Sequence, residues 1–328
     1  MSLLTHHLQF TMVAATPLEL GDNAGSAVRG ALVNALLDRF CANKAAPTCV
    51  DCPLFNVCPV AALVAPMREI GETGGDQRPR PYVTRPPQPR RYAPGETLTF
   101  GLGLFGHAAE LFPYVVIAAQ GIERQGLGRR LQEQNGRRGG VRLLAIHAVN
   151  PLTGDRQPLF QADQRQVQVP GIPIGPAEVA AFAATLPEDH LTLRFLTPMR
   201  LIDKGGLVKR PALRPLIQRL GIRLTDLAAA YGDGPLPAAD ARALLPIADS
   251  AVLEFDNTRW IDITSYSRRS GERTPIGGMV GEAVFTGNLG PLREILVWGS
   301  LVHVGKNAVK GDGWYVVEGG KGSIEDRR

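Results

Sequence analysis

The sequence predicts an α+β protein built of two tandem βαββαβ units. Three observations carry this: period-2 alternation in short apolar segments, 3.6-residue periodicity in the segments between them, and recurrence of that order in both halves of the 328-residue chain. A chain of this length can bury two separate cores.

From Leu4 to Ala14, apolar Leu8, Phe10 and Met12 alternate with His7, Gln9 and Thr11, which predicts a strand with one buried face. The segment GDNAGSAVRGALVNALLDRF puts Ala24, Ala27, Val28, Ala31, Leu32, Ala35 and Leu36 on one stripe of a helix, with Asp22 or Asn23 as its cap and Arg29 on its exposed side. A cysteine-bearing segment and a Pro/Arg-rich linker, RPRPYVTRPPQPRRYAP, follow as extended surface structure. TLTFGLGLFG alternates as a strand through Leu98, Phe100, Leu102 and Leu104, HAAELFPYVVIAAQGIERQ reads as a helix, and VRLLAIHAV returns as a strand.

The second half repeats the scheme. HLTLRFLTPMRLI is a strand, RPALRPLIQRLGIRLTDLAAAYG is helical with breaks at Pro215 and Gly221, and AVLEFDNTRWIDITSYSRR with PIGGMVGEAVFTG reads as a long hairpin. GPLREILVWGSLVHV places Leu289, Leu292, Ile295, Leu296 and Gly299 on one helical stripe, and WYVVEG is the last strand. Each half then closes as a ferredoxin-like (RRM-like) sandwich. Residues 1–160 form the first domain, with the Cys-rich segment 41–58 inserted, and residues 186–328 form the second, with a Gly-rich loop at 305–313.

Hydrophobic content of 44% and charged content of 20% are globular values, and a net charge of +5 favours a polyanionic partner. Arginine carries most of that charge, and its planar fork suits phosphates and bases. No stretch approaches 18 uninterrupted apolar residues and MSLLTHHLQF lacks a signal-peptide layout, so a cytoplasmic protein with no membrane partner is expected, as monomer or homodimer. In that reducing compartment the four cysteines are not expected to form structural disulfides. Their spacing, C-x7-C-x2-C-x5-C at Cys41, Cys49, Cys52 and Cys58, instead suits a tetrahedral metal site. Zinc is the default, and the prolines after Cys52 and Cys58 keep an iron–sulfur cluster open. Reduced, incidental thiols are the alternative.

The stretch HVGKNAVKGDGWY, His303 to Tyr315, sets Gly305, Gly311 and Gly313 beside Lys306 and Lys310, a combination that suits an anion. It is not a mononucleotide P-loop, because Asp312 stands where that motif has Lys and Ser/Thr. A plain Gly-rich turn between helix and strand is the competing reading. Arg29, Arg129, Arg130, Arg268 and Arg269 add cations that could line a groove for nucleic acid; taken singly, each reads first as a solvated surface charge.

GSAVRGAL, CVDCPLFNVC, LFGHAAELFPYVVIA running to GLGRR, RFLTPMRL, TSYSRR, GGMVGEAVFTG and LVHVGKNAVKGDGWY occur in this order over nearly the whole chain. In that order and spacing the chain resembles the CRISPR-associated endoribonucleases of the RAMP superfamily that process precursor CRISPR RNA, the sixth Cas family. The resemblance implies tandem ferredoxin-like folds, recognition of CRISPR repeat RNA by the Gly-rich loop, and metal-independent cleavage that leaves a 5′-hydroxyl and a 2′,3′-cyclic phosphate. No cofactor would be needed for catalysis, and other Cas effector subunits are candidate partners. Attack by an internal 2′-hydroxyl needs a base, a proton for the leaving oxygen and a cation at the phosphorane-like transition state. Among six histidines His303 is the first candidate, beside the loop, with Lys306 as electrostatic partner and Tyr266 or Tyr315 in support; His7 is the second. Family members that carry the catalytic histidine in or near the first helix differ from this chain, which has none from Ala24 to Phe40. A non-cleaving RNA-binding subunit, or a metal or redox protein centred on the cysteines, are the competing functions.

Overall fold

Strand β1 (Thr5–Ala14) lies at the centre of the first sheet because every second side chain is apolar: Leu8, Phe10 and Met12 are at most 1% exposed. In a computed structural model, residues 3–67, 78–164, 166–233, 241–266, 271 and 273–320 are described. They fall into two units: Leu4–Pro173 with Ala229–Gly232, and Ile174–Ala228 with Asp233–Arg328 and Met1–Leu3.

In the first unit β1 is followed by α1 (Ala24–Phe40), β2 (Tyr82–Arg85), β3 (Thr97–Phe105), α2 (Phe112–Gln125), β4 (Val141–Val149) and β5 (Arg156–Gln161). The sheet order is β2-β3-β1-β4-β5, and β1 runs antiparallel to both β3 and β4. Setting aside the extra edge strand β5, this is the ferredoxin-like arrangement, in which each helix crosses over between strands that are not neighbours. Phe10 and Phe100, cross-strand partners, stack with centroids 4.8 Å apart. Helices α1 and α2 meet where Gly121 faces Ala35, so closely that a Cβ on Gly121 would stand 2.9 Å from that of Ala35.

Two details of this unit depart from the sequence reading. The Pro/Arg-rich stretch is not all linker: Tyr82, Val83 and Thr84 are buried in β2, because their β-branched and aromatic side chains complete the sheet edge. Asn23 occupies the cap position of α1 without a side-chain capping bond.

The second unit repeats the arrangement with β6 (His190–Met199), α3 (Leu213–Tyr231, whose last residues from Ala229 belong to the first unit), α4 (Ala241–Ser250), β7 (Val252–Ile261), β8 (Gly278–Thr286), α5 (Arg293–Val302) and β9 (Tyr315–Glu318). Its sheet order is β7-β8-β6-β9, with β6 antiparallel to β8 and β9. Helix α3 runs unbroken through Pro215 and Gly221. Pro215 lies in the first turn, where backbone N–H groups have no intrahelical acceptor, so its missing donor costs nothing there. Gly221 instead admits α4, since a Cβ there would come within 2.2 Å of Ala241 Cβ. The tandem ferredoxin-like fold is therefore present in both halves, with the four cysteines in an insertion between α1 and β2.

Candidate nucleic-acid interface

The Gly-rich loop leaves α5 at His303, whose backbone turns to φ 55° and ends the helix. It then folds onto the end of β6. Pro198 lies where the register of β6 shifts, between Phe195 and Met199, a position that proline tolerates because no ladder bond is required of it. Lys306 N donates to Arg200 O at 3.0 Å, Gly313 N to Pro198 O at 2.9 Å, and Trp314 N to Thr197 Oγ1 at 2.9 Å. Two glycines make this approach feasible. Gly305 (φ 91°) would bring a Cβ to 2.6 Å from Arg200 O, and Gly313 (φ 72°) to 1.8 Å from Val304 O.

These bonds alter the expected anion chemistry. The amides of Val304, Lys306, Lys310, Gly311 and Gly313 all donate to backbone carbonyls, so these five N–H groups are already engaged and side-chain charge gains weight in meeting a phosphate. Lys306 is exposed, while Lys310 is half-buried beside the buried carboxyl of Asp312. Burial pushes Asp312 up to about 7, against the opposing effects of a hydrogen bond from Asn307 and the charge of Lys310.

His303 is fully buried, its ring stacked on Trp314 at 6.0 Å. Tyr315 is also buried, with its hydroxyl donating to Leu296 O at 2.7 Å, and burial pushes its phenol up. Tyr266 ends the strand Thr264–Tyr266, paired with Arg273; its side chain, and Arg268 and Arg269, lie outside the described residues.

The other candidates belong to the first unit. His7 is 2% exposed and packs over Gly103, which Val83 also approaches. Arg129 and Arg130 lie on a hairpin of Leu127–Leu131 with Arg137–Gly139; Arg129 pairs with Glu19 at 2.7 Å and Arg130 donates to Gly136 O at 3.0 Å. Arg29 is half-buried on α1, not on a fully exposed side as its position in the stripe suggested. The structure thus brings the loop glycines, Lys306, Lys310 and His303 together in one unit, and Arg129 with Arg130 in the other.

Cys41, Cys49, Cys52 and Cys58 are half-buried and not joined in disulfides, and Asn43 Nδ2 approaches Cys52 Sγ at 3.7 Å. Among the described residues no three or more Cys, His, Asp or Glu side chains are grouped to hold a metal ion, so the four thiols as arranged do not fit the zinc or iron–sulfur site that their spacing suggested. Among the described residues no helix is long and apolar enough to cross a membrane.

The sequence did not single out Arg80 or His107. A signal for His107 was available in Gly106 directly before it, a glycine at a strand end; the Pro/Arg composition around Arg80 concealed a sheet strand.

Comparison with known proteins agrees with this architecture. Residues 3–172 match the AF_1859_N family model, described as an N-terminal domain, and residues 193–315 match the model of the CRISPR-associated endoribonuclease Cas6. Among solved structures, a Cas6 product complex is 17% identical, with 96% of this chain and 100% of that chain covered and a TM-score of 0.56. Thermus thermophilus Cas6 is 15% identical, with 97% and 100% covered and a TM-score of 0.54. A partial Cas6-RT-Cas1–Cas2 complex is 13% identical with a TM-score of 0.60; it covers 98% of this chain, which spans 47% of that longer one. No curated protein matches the chain. Tandem ferredoxin-like units with a Gly-rich loop before the final strand give the chain the fold that these Cas6 structures share. By its match over residues 3–172 the chain belongs to the AF_1859_N family, and its match over residues 193–315 makes it Cas6-like.

Proposed function

We propose that this chain binds CRISPR repeat RNA and cuts it by attack of an internal 2′-hydroxyl on the adjacent phosphorus, leaving 2′,3′-cyclic phosphate and 5′-hydroxyl ends without a catalytic metal. The observation that carries this reading is the match of residues 193–315 to the Cas6 endoribonuclease model, because that span contains the whole loop from His303 to Gly313. The exposed ammonium of Lys306 supports a direct phosphate contact. The buried stack of His303 on Trp314 supports a role in holding the loop in shape. The net charge of +5 supports a polyanionic partner. Assembly with other Cas proteins is a further part of this reading; one similar structure is a Cas6-RT-Cas1–Cas2 complex.

The burial of both His7 and His303 favours a second reading, a non-cleaving RNA-binding subunit. Single-turnover incubation with the repeat RNA found beside the gene, in excess EDTA, separates the two. Cleavage to a cyclic phosphate supports the enzyme; tight binding with intact RNA after hours supports the subunit.

A further inference from the structure

A second cationic centre lies in the first unit, away from the Gly-rich loop. Arg29 of α1 and Arg80, just before β2, are electrostatic neighbours, and neither has a carboxylate within ion-pair distance among the described residues. Burial, and then the Arg29 charge, hold the Arg80 guanidinium below its ordinary value. Arg80 Nε donates to Val64 O at 2.9 Å, which fixes its position. Arg29 Nε and Ser26 Oγ, one helical turn apart and both shielded from solvent, have no hydrogen-bond partner among the described residues. Among the described residues nothing offsets these two like charges and two unsatisfied polar atoms, a combination that favours an anion between them.

The centre has a built rim. Tyr231 is 6% exposed, donates its hydroxyl to Pro79 O, and is an electrostatic neighbour of Arg78 and Arg80. His107 packs against the phenol ring with centroids 5.6 Å apart. Gly106 makes that approach feasible: at φ 50°, a Cβ there would stand 1.6 Å from Tyr231 O. His107 is also the one exposed histidine of the six.

We propose that Ser26, Arg29 and Arg80 seat the phosphodiester to be cut and that His107, at the rim of this seat, is the catalytic base. The inference rests on the endoribonuclease reading above. The imidazole takes the proton of the 2′-hydroxyl as the O2′–P bond forms, the P–O5′ bond breaks, and water protonates the departing 5′ oxygen. The two guanidinium groups meet the charge that develops on the non-bridging oxygens.

The test uses the full-length protein with repeat RNA, both native and carrying a 2′-deoxy nucleotide at the cut so that binding is read without cleavage. Arg29→Gln and Arg80→Gln should each weaken binding of the deoxy RNA and reduce the slope of log affinity against log salt by about 0.7, one phosphate contact on a single strand. Without RNA, Arg29→Gln should unfold at the same temperature as wild type or higher, because a repulsion is removed; a residue with only a structural role would lower it. His107→Ala and His107→Gln should cut native RNA about 10²- to 10⁴-fold more slowly, with affinity within a few-fold of wild type. Unchanged affinity and salt slope in both arginine variants would overturn the seat. Wild-type rates in both histidine variants would overturn the base. If wild-type protein binds but never cuts, the endoribonuclease reading fails and the role of His107 falls with it, while the deoxy-RNA titrations still decide the seat.

Discussion

The imidazole of His303 lies flat on the indole of Trp314, ring planes 8° apart, inside the turn that joins α5 to β9. The contact couples a helix end at positive φ to the residue whose amide is fixed by Thr197 Oγ1, so the stack braces both ends of the Gly-rich loop. His303→Ala should cost about 2–4 kcal/mol of stability by leaving a cavity. Its effect on RNA should be a higher half-saturating concentration, with the rate at saturation changed less than about tenfold. A variant of normal stability whose saturated rate falls by about 10²-fold or more would instead make His303 the proton carrier.

Gly313 and Gly95 provide a controlled pair. Both have positive φ, 72° and 88°, but a Cβ on Gly313 collides with Val304 O at 1.8 Å whereas one on Gly95 meets nothing within 4 Å. Gly95→Ala should therefore cost only the left-handed penalty, roughly 1–2 kcal/mol. Gly313→Ala should cost clearly more and should weaken RNA binding, because Val304 N also donates to Gly313 O and the whole turn must shift. Denaturant midpoints of equal size for the two variants would contradict this account of the loop.

Asp312 gives the loop a pH dependence whose sign is fixed by burial. Asp312 is 7% exposed and burial pushes its carboxyl up to about 7 from its ordinary 3.8, so the folded chain holds the proton more tightly than the unfolded one. The associated stability is fully present below about pH 4 and is lost as pH rises through about 7. Asp312→Asn cannot ionise. Its stability should therefore gain on wild type between about pH 4 and 8, on the order of 4 kcal/mol in total, and the difference should level off above that range. A difference independent of pH would show that Asp312 does not titrate in this window.

Much of the fold was legible because burial imposes periodicity locally. Leu8, Phe10 and Met12 reveal a strand, and Val28, Ala31, Leu32 and Ala35 reveal a helix, without reference to anything distant. The loop was legible too, since positive φ at Gly305, Gly311 and Gly313 leaves its mark as glycine. The Arg29–Arg80–His107–Tyr231 centre was not. Its members come from α1, the segment before β2, the turn after β3 and the end of α3, and nothing in one-dimensional order joins them. Burial of His303 was equally hidden, because the sequence shows its proximity to the loop but not the indole that covers it. The cysteine spacing pointed to a metal that the geometry does not gather, since spacing allows convergence without enforcing it.

Lys306 and Lys310 have become unequal through the fold. Lys306 is exposed on a backbone anchored to Arg200 O, while Lys310 is half-buried against Asp312. Lys306→Ala should weaken repeat binding and reduce the salt slope by about 0.7, with unchanged thermal stability. Lys310→Ala should act less on binding and more on stability, because it removes the cation that eases ionisation of Asp312. Equal effects of both variants on the salt slope would mean that Lys310 turns outward to meet the RNA.

The reaction type can be tested independently of any residue assignment. If the attacking oxygen is the 2′-hydroxyl of the nucleotide 5′ of the cut, replacing that one nucleotide by its 2′-deoxy form abolishes cleavage while leaving affinity within a few-fold, because a single hydroxyl contributes little to a contact made mainly through phosphates. The native substrate should leave a cyclic phosphate, resistant to phosphatase until opened by acid. Excess EDTA should leave the rate unchanged, since a side-chain base and positioned cations supply the proton transfer and charge stabilisation. Cleavage that persists on the deoxy RNA would mean that water attacks the phosphorus, and the search for the base would then begin from a bound metal or an activated solvent molecule. Loss of cleavage on the deoxy RNA together with full activity of His107→Ala and His303→Ala would keep the internal attack and transfer the proton to a group outside both centres, with His7 the next variant to measure.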